Sequence, residues 1–204
     1  LNKLFDYDKT LLRPSNQKCI IGVDEVGRGC TAGPLVVTAC QLPNNHTPLD
    51  GIDDSKKLTE AKRAKLYQNI LEAGINFETV FLSPAEVDRH NVYQATIIGM
   101  KRAIHKLGLD LSGVMILVDA MPITIPGAKI KPIIRGDSQS YAIAMASVIA
   151  KHERDCYMIK LSKKKGMNQY GFEQHKGYAT RQHRQAVSEN GEIPGIHRKS
   201  FKCT

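Results

Sequence analysis

Acidic side chains follow apolar segments at three separate places in this chain. The stretch "CIIGVDEVGRG" at 19–29 places Asp24 and Glu25 side by side, Asp119 ends "GVMILVD", and Asp137 ends "KIKPIIRGD". Adjacent carboxylates repel one another unless a positive charge lies beside them. Carboxylate oxygens are ligands that Mg²⁺ and Mn²⁺ prefer, and a pair of such ions supports phosphoryl transfer. If the fold brings these four acids together, we expect them to form a catalytic metal site.

The elements that must position these acids are apolar strands alternating with amphipathic helices. The strand patterns are "IIGVD", "GPLVVTACQL", "INFETVFL", "GVMILVDAM" and "KIKPIIRGD", and we expect the first two to form an edge or hairpin pair. The helix patterns are "LTEAKRAKLYQNILEAG", the stretch from the capping box "SPAE" to about Leu107, "SYAIAMASVIAKHERDCYMIKLSKKKG", and a short helix capped by Thr180. Their order predicts an α/β fold with a mixed central sheet flanked by helices. In such sheets functional groups gather where strands end.

The basic charge of the chain is concentrated in its last third. Residues 1–128 contain 14 Lys and Arg against 14 Asp and Glu, whereas residues 129–204 contain 15 against 6. This asymmetry favours a polyanionic partner such as nucleic acid, although a basic solvated surface is the simpler alternative. We expect an N-terminal extension over 1–18, an α/β domain over 19–165, and a C-terminal segment over 166–204 that is partly helical, packs on the domain and contacts the substrate.

Composition excludes several classes of protein. No run of 18 apolar residues is present, so no membrane-spanning helix is expected. The five cysteines form no CxxC pair, which indicates reduced thiols in a cytoplasmic protein rather than a disulfide or zinc framework. No heptad run or large apolar stripe is evident, and we expect a monomer.

Each candidate residue also has a simpler structural interpretation. An Asp after a strand often caps a turn or helix, and the glycines of Gly27-Arg28-Gly29 fit any tight turn. That interpretation explains neither the Asp24–Glu25 doublet nor a cation between two glycines. Further candidates for contacts with nucleic acid are Ser55, Lys56, Lys151 and Tyr178. Their simpler interpretations are a helix cap for Ser55, solvated side chains for the two lysines, and a core residue for Tyr178.

The ordered set of motifs resembles the type 2 ribonuclease H family, specifically bacterial ribonuclease HII. The resemblance runs from "GVDEVGRG" and "AGPLVVTA" through "DDSKKL", "LVDAM" and "GDSQSYAIAMASVIAKHERD" to "HKGYAT" and "HRKSF", over roughly residues 18–201. It implies an RNase H-like fold for the domain and two-metal hydrolysis with Mg²⁺ or Mn²⁺. The implied catalytic and metal-binding residues are Asp24, Glu25, Asp119 and Asp137. The chain departs from the family at Cys30-Thr31, where Pro and a large apolar residue are common.

The resemblance also implies a substrate and a reaction. The Gly27-Arg28-Gly29 turn would bind the ribonucleotide at an RNA–DNA junction and sense its 2′-hydroxyl, and Tyr178 would stack on the DNA side. Cleavage on the 5′ side of a ribonucleotide in hybrids or duplex DNA would leave a 3′-hydroxyl and a 5′-phosphate. The implied roles are ribonucleotide excision and RNA primer removal. Two alternatives stay open: a two-metal DNA nuclease of the same fold without ribose specificity, and a non-catalytic duplex-binding module.

Overall fold

The computed structural model of the protein describes residues 2–12, 17–43, 45–52 and 58–203. Within these residues the chain forms five strands and six α-helices. The strands are β1 (Cys19–Val26), β2 (Leu35–Pro43), β3 (Phe77–Leu82), β4 (Val114–Asp119) and β5 (Lys129–Ile133). The helices are α1 (Lys3–Leu12), α2 (Glu60–Glu72), α3 (Pro84–Lys106), α4 (Tyr141–Ser162), α5 (Phe172–His175) and α6 (Arg181–Asn190).

The strands form one mixed sheet in the order β3-β2-β1-β4-β5. β1 is antiparallel to β2 and parallel to β4, and β5 is parallel to β4. This arrangement confirms the predicted mixed sheet and the hairpin of the first two strands. Of the two alternatives expected for that pair, an edge or a hairpin, the structure shows the hairpin, with β1 as the central strand. Its residues are buried from Cys19 to Asp24, as a strand with neighbours on both sides requires.

Helices cover both faces of the sheet and bury two apolar clusters. α3 packs on one face, where Val37, Met100 and Ile104 are fully buried. α1, α2 and α4 pack on the other face, with Leu117 and Ile149 among the buried residues. The sequence did not predict α1, which lies within the predicted N-terminal extension.

α4 approaches the central strand closely because that strand has a glycine at the crossing point. A Cβ at Gly22 would lie 2.1 Å from the backbone carbonyl of Ala142. Gly22 precedes Asp24 by two residues, so both side-chain positions face α4. The close contact therefore brings the first half of α4 against the end of β1.

The C-terminal segment folds back onto the far end of α4. A third apolar cluster joins Met158 of α4 to Phe172 and Val187 of α5 and α6. A bridge between Ala32 and His197 ties the end of the chain to the loop after β1. The predicted caps are confirmed: Ser83 and Glu86 form a capping box, and the Thr180 side chain accepts from His183 N–H. In the described part of the chain, no helix combines the length and apolar character needed to cross a membrane.

Candidate active site

Acidic residues, the glycine-rich turn and an aromatic ring line one cavity of about 250 Å³. Its lining consists of Asp24, Glu25, Val26, Gly27, Arg28, Gly29, Asp119, Ser147, Lys151 and Tyr178. β1 and β4 pair in parallel as far as Val23 and Val118. The next residue of each strand is an aspartate, so the register alone brings Asp24 and Asp119 to the same edge of the sheet.

Burial and mutual repulsion disfavour ionisation of the two adjacent acids. Asp24 is 5% exposed, and its pKa lies well above the usual range because of burial, with Glu25 and Asp119 adding repulsion. The Ser147 hydroxyl on α4 and the Glu25 N–H, at 2.8 Å, hydrogen-bond to the Asp24 carboxylate. Burial also raises the pKa of Glu25 to about 7, although Arg28, 3.6 Å from its Oε1, opposes that shift. A nearby cation would relieve the charge crowding here.

Asp137 is positioned differently from the sequence expectation. β5 ends at Ile133, and Asp137 lies four residues further on in a short 3₁₀ turn, so the prediction that it directly follows a strand is wrong. The chain leaves the strand direction at Arg135, whose φ of +54° is left-handed. Asp137 is 3% exposed and does not line the cavity. Its neighbour Gly136 donates a backbone hydrogen bond of 2.7 Å to Asp119 Oδ1, which links the turn to the acid pair.

The donor set at the cavity suits a hard divalent cation. The Glu25 Oε2 atom is buried without a hydrogen-bond partner. The acidic side chains that line the cavity are carboxylates, whose oxygens bind Mg²⁺ and Mn²⁺ rather than softer metals. Within the described residues no three His, Cys, Asp or Glu side chains are gathered as a ready metal site. The residues present therefore fit the implied ions in the chemistry of their donor atoms.

The two glycines of the turn have different structural roles. Gly27 has a φ of +86°, and a Cβ there would lie 2.2 Å from Arg154 Nε. Apart from Gly29 and its chain neighbours, no atom of the described residues lies within 4 Å of the place where a Cβ at Gly29 would stand. The fold therefore requires glycine at position 27, whereas the space beside Gly29 is open to a ligand. The Arg28 side chain between them is 42% exposed.

Two buried arginines, whose roles the sequence analysis missed, hold the loop after β1, which begins with this turn. Arg154 of α4 donates to the carbonyl oxygens of Pro34, Ala32 and Lys176 at 3.0, 3.1 and 2.8 Å. Arg198 donates to Gly33 O at 3.0 and 3.1 Å and to Arg28 O at 3.1 Å. Both are 0% exposed, and burial lowers the pKa of Arg198 to about 10. An Arg four residues before the buried Met158 was the available signal, because that spacing places both on one helix face.

Tyr178 and Lys151 line the same cavity as the acids. The Tyr178 ring is 40% exposed, and its centroid lies 5.9 Å from both Lys151 Nζ and Arg154 Cζ. Lys151 Nζ is paired with Asp155 Oδ1 at 2.8 Å. Ser55 and Lys56 lie outside the described residues. Cys30 and Thr31, the departures from the family pattern, are buried behind Tyr178, and Thr31 Oγ1 donates to Gly177 O at 3.3 Å.

The mixed five-stranded sheet flanked by helices is an RNase H-like fold. The fold is similar to that of the ribonuclease H2 from Pyrococcus horikoshii OT3, at a TM-score of 0.73 and 22% identity, covering 91% of this chain and 94% of that one. It is also similar to the RNase HII in the PCNA:RNase HII complex from Archaeoglobus fulgidus, at a TM-score of 0.69 and 27% identity, covering 90% and 95%.

Sequence comparison then gives the family. The family described as Ribonuclease HII matches residues 21–204. Ribonuclease HII of Desulfitobacterium hafniense is 46% identical over 184 residues, which are 89% of this chain and 68% of that protein. Ribonuclease HII of Mycobacterium ulcerans is 43% identical over 196 residues, 95% of this chain and 79% of that protein. The chain belongs to the ribonuclease HII family and is thus a type 2 ribonuclease H, as its motifs predicted.

Proposed function

We propose that the protein is a metal-dependent endoribonuclease that cleaves on the 5′ side of a ribonucleotide, both in RNA/DNA hybrids and at RNA–DNA junctions in duplex DNA. The observation that carries this proposal is the single cavity shared by Asp24, Glu25 and Asp119, the turn at 27–29 and Tyr178. The acids would serve hydrolysis of a phosphodiester, and the turn and Tyr178 would contact a nucleotide. Hydrolysis would leave a 3′-hydroxyl and a 5′-phosphate.

The residues proposed to hold the metal ions are Asp24, Glu25 and Asp119, with Asp137 completing the set. Their support is the raised pKa of Asp24 and Glu25 and the unpartnered Glu25 Oε2. A solved ribonuclease HIII, described as Bst-RNase HIII in complex with Mn2+, has a similar fold, at a TM-score of 0.67, 19% identity, and coverage of 94% of this chain and 70% of that one. When bound, Mg²⁺ or Mn²⁺ would neutralise these acids and activate water for attack on the phosphate.

Recognition of the ribonucleotide is assigned to the turn and to Tyr178. The open space beside Gly29 allows a sugar to approach the backbone, whose N–H and C=O groups can test for a 2′-hydroxyl without reading a base. The exposed Tyr178 ring offers a stacking platform that tolerates any base. Lys151 would contact phosphate by exchanging its Asp155 partner for the substrate backbone. Ser55 and Lys56 are proposed to contact the backbone as well.

The cellular role that we infer is ribonucleotide excision and RNA primer removal by a monomer in the cytoplasm. The five cysteines, all free, agree with a reducing compartment. Light scattering at working concentration tests the monomer: a mass near twice the 22.6 kDa of the chain would contradict it.

A substrate panel tests the proposed reaction. The protein is incubated with three duplexes: all-DNA duplex, duplex DNA with one ribonucleotide, and RNA/DNA hybrid. Each reaction contains Mg²⁺, Mn²⁺ or a chelator, and the product ends are mapped. We expect cleavage of the two ribose-containing duplexes on the 5′ side of a ribonucleotide, and none with chelator. Equal cleavage of all-DNA duplex would indicate the nuclease without ribose specificity. Metal-independent binding without cleavage of any duplex would indicate the non-catalytic module.

Tyr178→Ala and Tyr157→Ala form a matched pair for the stacking role. The two rings are 40% and 43% exposed, but only Tyr178 lines the cavity. We expect Tyr178→Ala to slow cleavage at a single ribonucleotide about tenfold, since stacking on one base contributes about 1–3 kcal/mol. Tyr157→Ala should leave the rate unchanged. Equal rates for the two variants would reject the stacking role.

A further inference from the structure

Three histidines are buried in the C-terminal segment, outside the cavity and without a part in the proposed reaction. His175, His183 and His197 are 8%, 0% and 4% exposed. The His175 and His183 rings stack with centroids 4.3 Å apart, and His183 Nε2 lies 3.1 Å from His197 Nε2. A buried imidazole must satisfy both of its nitrogens, so each hydrogen bond in this cluster constrains the next.

The hydrogen-bond partners fix the direction of the chain that these rings form. Ile193 N–H can only donate, so His197 Nδ1, at 2.8 Å, accepts. The neutral His197 ring then carries its proton on Nε2 and donates to His183 Nε2. His183 must in turn carry its proton on Nδ1, which lies 2.9 Å from the carbonyl oxygen of Tyr178. A carbonyl oxygen can only accept, so both ends of the chain independently require the same proton placement.

The chain of hydrogen bonds ends on the residue that faces the nucleic acid. The Tyr178 carbonyl also accepts from Thr180 N–H at 2.8 Å, and Tyr178 N–H donates to His175 O at 3.0 Å. The preceding carbonyl, Gly177 O, accepts from Thr31 N–H at 3.0 Å. The backbone on both sides of Tyr178 is thus fixed, while its ring remains exposed at the cavity. His183 Nδ1 also lies 3.4 Å from Thr31 Oγ1, which donates to Gly177 O.

We propose that His183 and His197 are positioning residues that hold Tyr178 at the substrate face through this directed chain of hydrogen bonds. The proposal rests on the proposed stacking function of Tyr178. It assigns the histidines no contact with substrate and no proton transfer. Their effect on cleavage is therefore predicted to pass through Tyr178.

The surroundings keep this chain neutral. Protonating His183 would put N–H groups of two rings face to face across the 3.1 Å contact. The pKa of His183 is lowered to about 4, chiefly by burial and to a smaller extent by the neighbouring His175 and His197, although the hydrogen bond to the Tyr178 carbonyl opposes the shift. The pKa of His197 is lowered too, first by burial, with Glu192 opposing the shift. The fixed direction of the hydrogen bonds requires that His183 and His197 are neutral and that each has one defined tautomer.

Two substitutions at position 183 separate positioning from simple core filling. His183→Asn keeps an amide N–H near the position of Nδ1, whereas His183→Gln places its amide near Nε2 and leaves the Tyr178 carbonyl without that donor. We expect His183→Asn to retain cleavage of a single-ribonucleotide duplex within about threefold, and His183→Gln to lose about tenfold, as loss of a buried hydrogen bond predicts. The control, exposed His105→Gln on α3, should match the wild type.

The same substitutions in a Tyr178→Ala background give the decisive comparison. If the histidines act through Tyr178, His183→Gln should cause no further loss there. An unchanged tenfold loss in that background would overturn the proposal, as would equal losses for folded His183→Asn and His183→Gln. If His183→Gln does not fold, His197→Asn replaces it, since this change removes the donor to His183, and the same outcomes decide.

A readout without substrate separates this proposal from the proposed function. The protein is labelled with 3-fluorotyrosine, and the Tyr178 resonance is assigned by its loss in Tyr178→Phe. We expect His183→Gln to shift or broaden this resonance and His183→Asn to preserve it, with the Tyr67 and Tyr141 signals unchanged in both. An unmoved Tyr178 signal in folded His183→Gln would reject the positioning role. Failure of the wild type to cleave ribose-containing duplexes would reject the proposed function while leaving this test intact.

Discussion

The cavity lining has two parts that are built in opposite ways: the sheet wall, which consists of Asp24, Glu25 and Asp119, and the loop wall, which consists of the turn at 27–29 and Tyr178. On the sheet wall, backbone pairing of β1 and β4 sets the places of Asp24 and Asp119, and buried negative groups are crowded together. On the loop wall, the side chains of Arg154 and Arg198 hold the backbone, and the buried charge is positive. The carboxylates suit cations, and Arg28 and Lys151, the basic residues that line the cavity, suit a phosphate backbone. Strand register thus positions the proposed chemistry, whereas long-range side-chain contacts position the proposed recognition.

This difference predicts opposite responses to neutralising substitutions. An acid on the sheet wall is held by its strand, so removing its charge should leave the fold intact. A buried arginine on the loop wall is itself the support, so removing it should loosen the turn. The predictions below test that contrast, beginning with the largest expected effect.

Asp24→Asn should abolish cleavage while preserving the fold. The substitution removes a proposed metal ligand, and loss of one electrostatic group at a reacting centre commonly slows a reaction about a hundredfold or more. It also removes a buried carboxyl group whose pKa is raised, so the midpoint temperature of thermal unfolding should stay the same or rise. Cleavage of a single-ribonucleotide duplex and a melting curve measure the two effects. Wild-type turnover in Mg²⁺ would contradict the assignment of the acids.

Arg154→Met should lower the free energy of unfolding by about 3 kcal/mol, because it leaves buried carbonyl oxygens without donors. Arg102→Met is the matched control. That arginine pairs with Glu86 at 2.7 Å but its side chain is 49% exposed, and an exposed pair contributes about 1 kcal/mol or less. Urea denaturation measures both changes. If Arg154→Met lowers the free energy of unfolding no more than Arg102→Met does, the buried arginine does not support the loop wall.

The contrast between the walls also explains what the sequence predicted and what it did not. Capping residues such as Ser83 and Thr180, and acids at strand ends such as Asp24 and Asp119, are local patterns with local causes. The displacement of Asp137 from its strand end was not predictable in this way, since it depends on the left-handed Arg135.

No local sequence pattern predicts the contacts between distant parts of the chain. The Arg154 contacts span 22 to 122 residues along the sequence, and the carbonyl groups that they join carry no residue-specific signal. The His183–His197 pair and the α1–α4 packing are of the same kind. The family resemblance covered these motifs but did not say what their buried side chains do.

The two glycines of the turn allow the fold and the recognition to be changed separately. Gly27→Ala places a Cβ against Arg154 at a φ of +86°, so we expect a loss of stability of about 1–3 kcal/mol. The Cβ of Gly29→Ala would meet no non-neighbouring atom in the part of the chain that the structure describes, and the change should alter stability by less than about 0.5 kcal/mol. If substrate approaches that space, Gly29→Ala should nevertheless raise KM for ribose-containing duplexes. An unchanged KM for Gly29→Ala would place the sugar elsewhere.

A buried acid outside the cavity shows the effect of burial without a proposed function. Asp8 of α1 is 3% exposed, its Oδ2 accepts from Ala142 N–H at 2.8 Å, and its Oδ1 has no partner. Burial raises its pKa from 3.8 to about 6. The folded state therefore binds this proton more tightly than the unfolded state does. Its contribution to stability is fully present below about pH 4 and is lost as the pH rises through about 6.

Asp8→Asn keeps an oxygen for the Ala142 N–H and removes the titration. We expect the variant to gain stability relative to the wild type as the pH rises from 4 to 7, by about 2 kcal/mol. Urea denaturation across that range measures the difference, with exposed Asp6→Asn on the same helix as the control for net charge. A pH-independent difference would mean that Asp8 is ionised at no energetic cost in the folded protein. Burial is the largest cause of the raised pKa of both Asp8 and Asp24, and the two acids differ chiefly in their neighbouring carboxylates. Such a result for Asp8 would therefore also count against burial as the main cause of the raised pKa of Asp24.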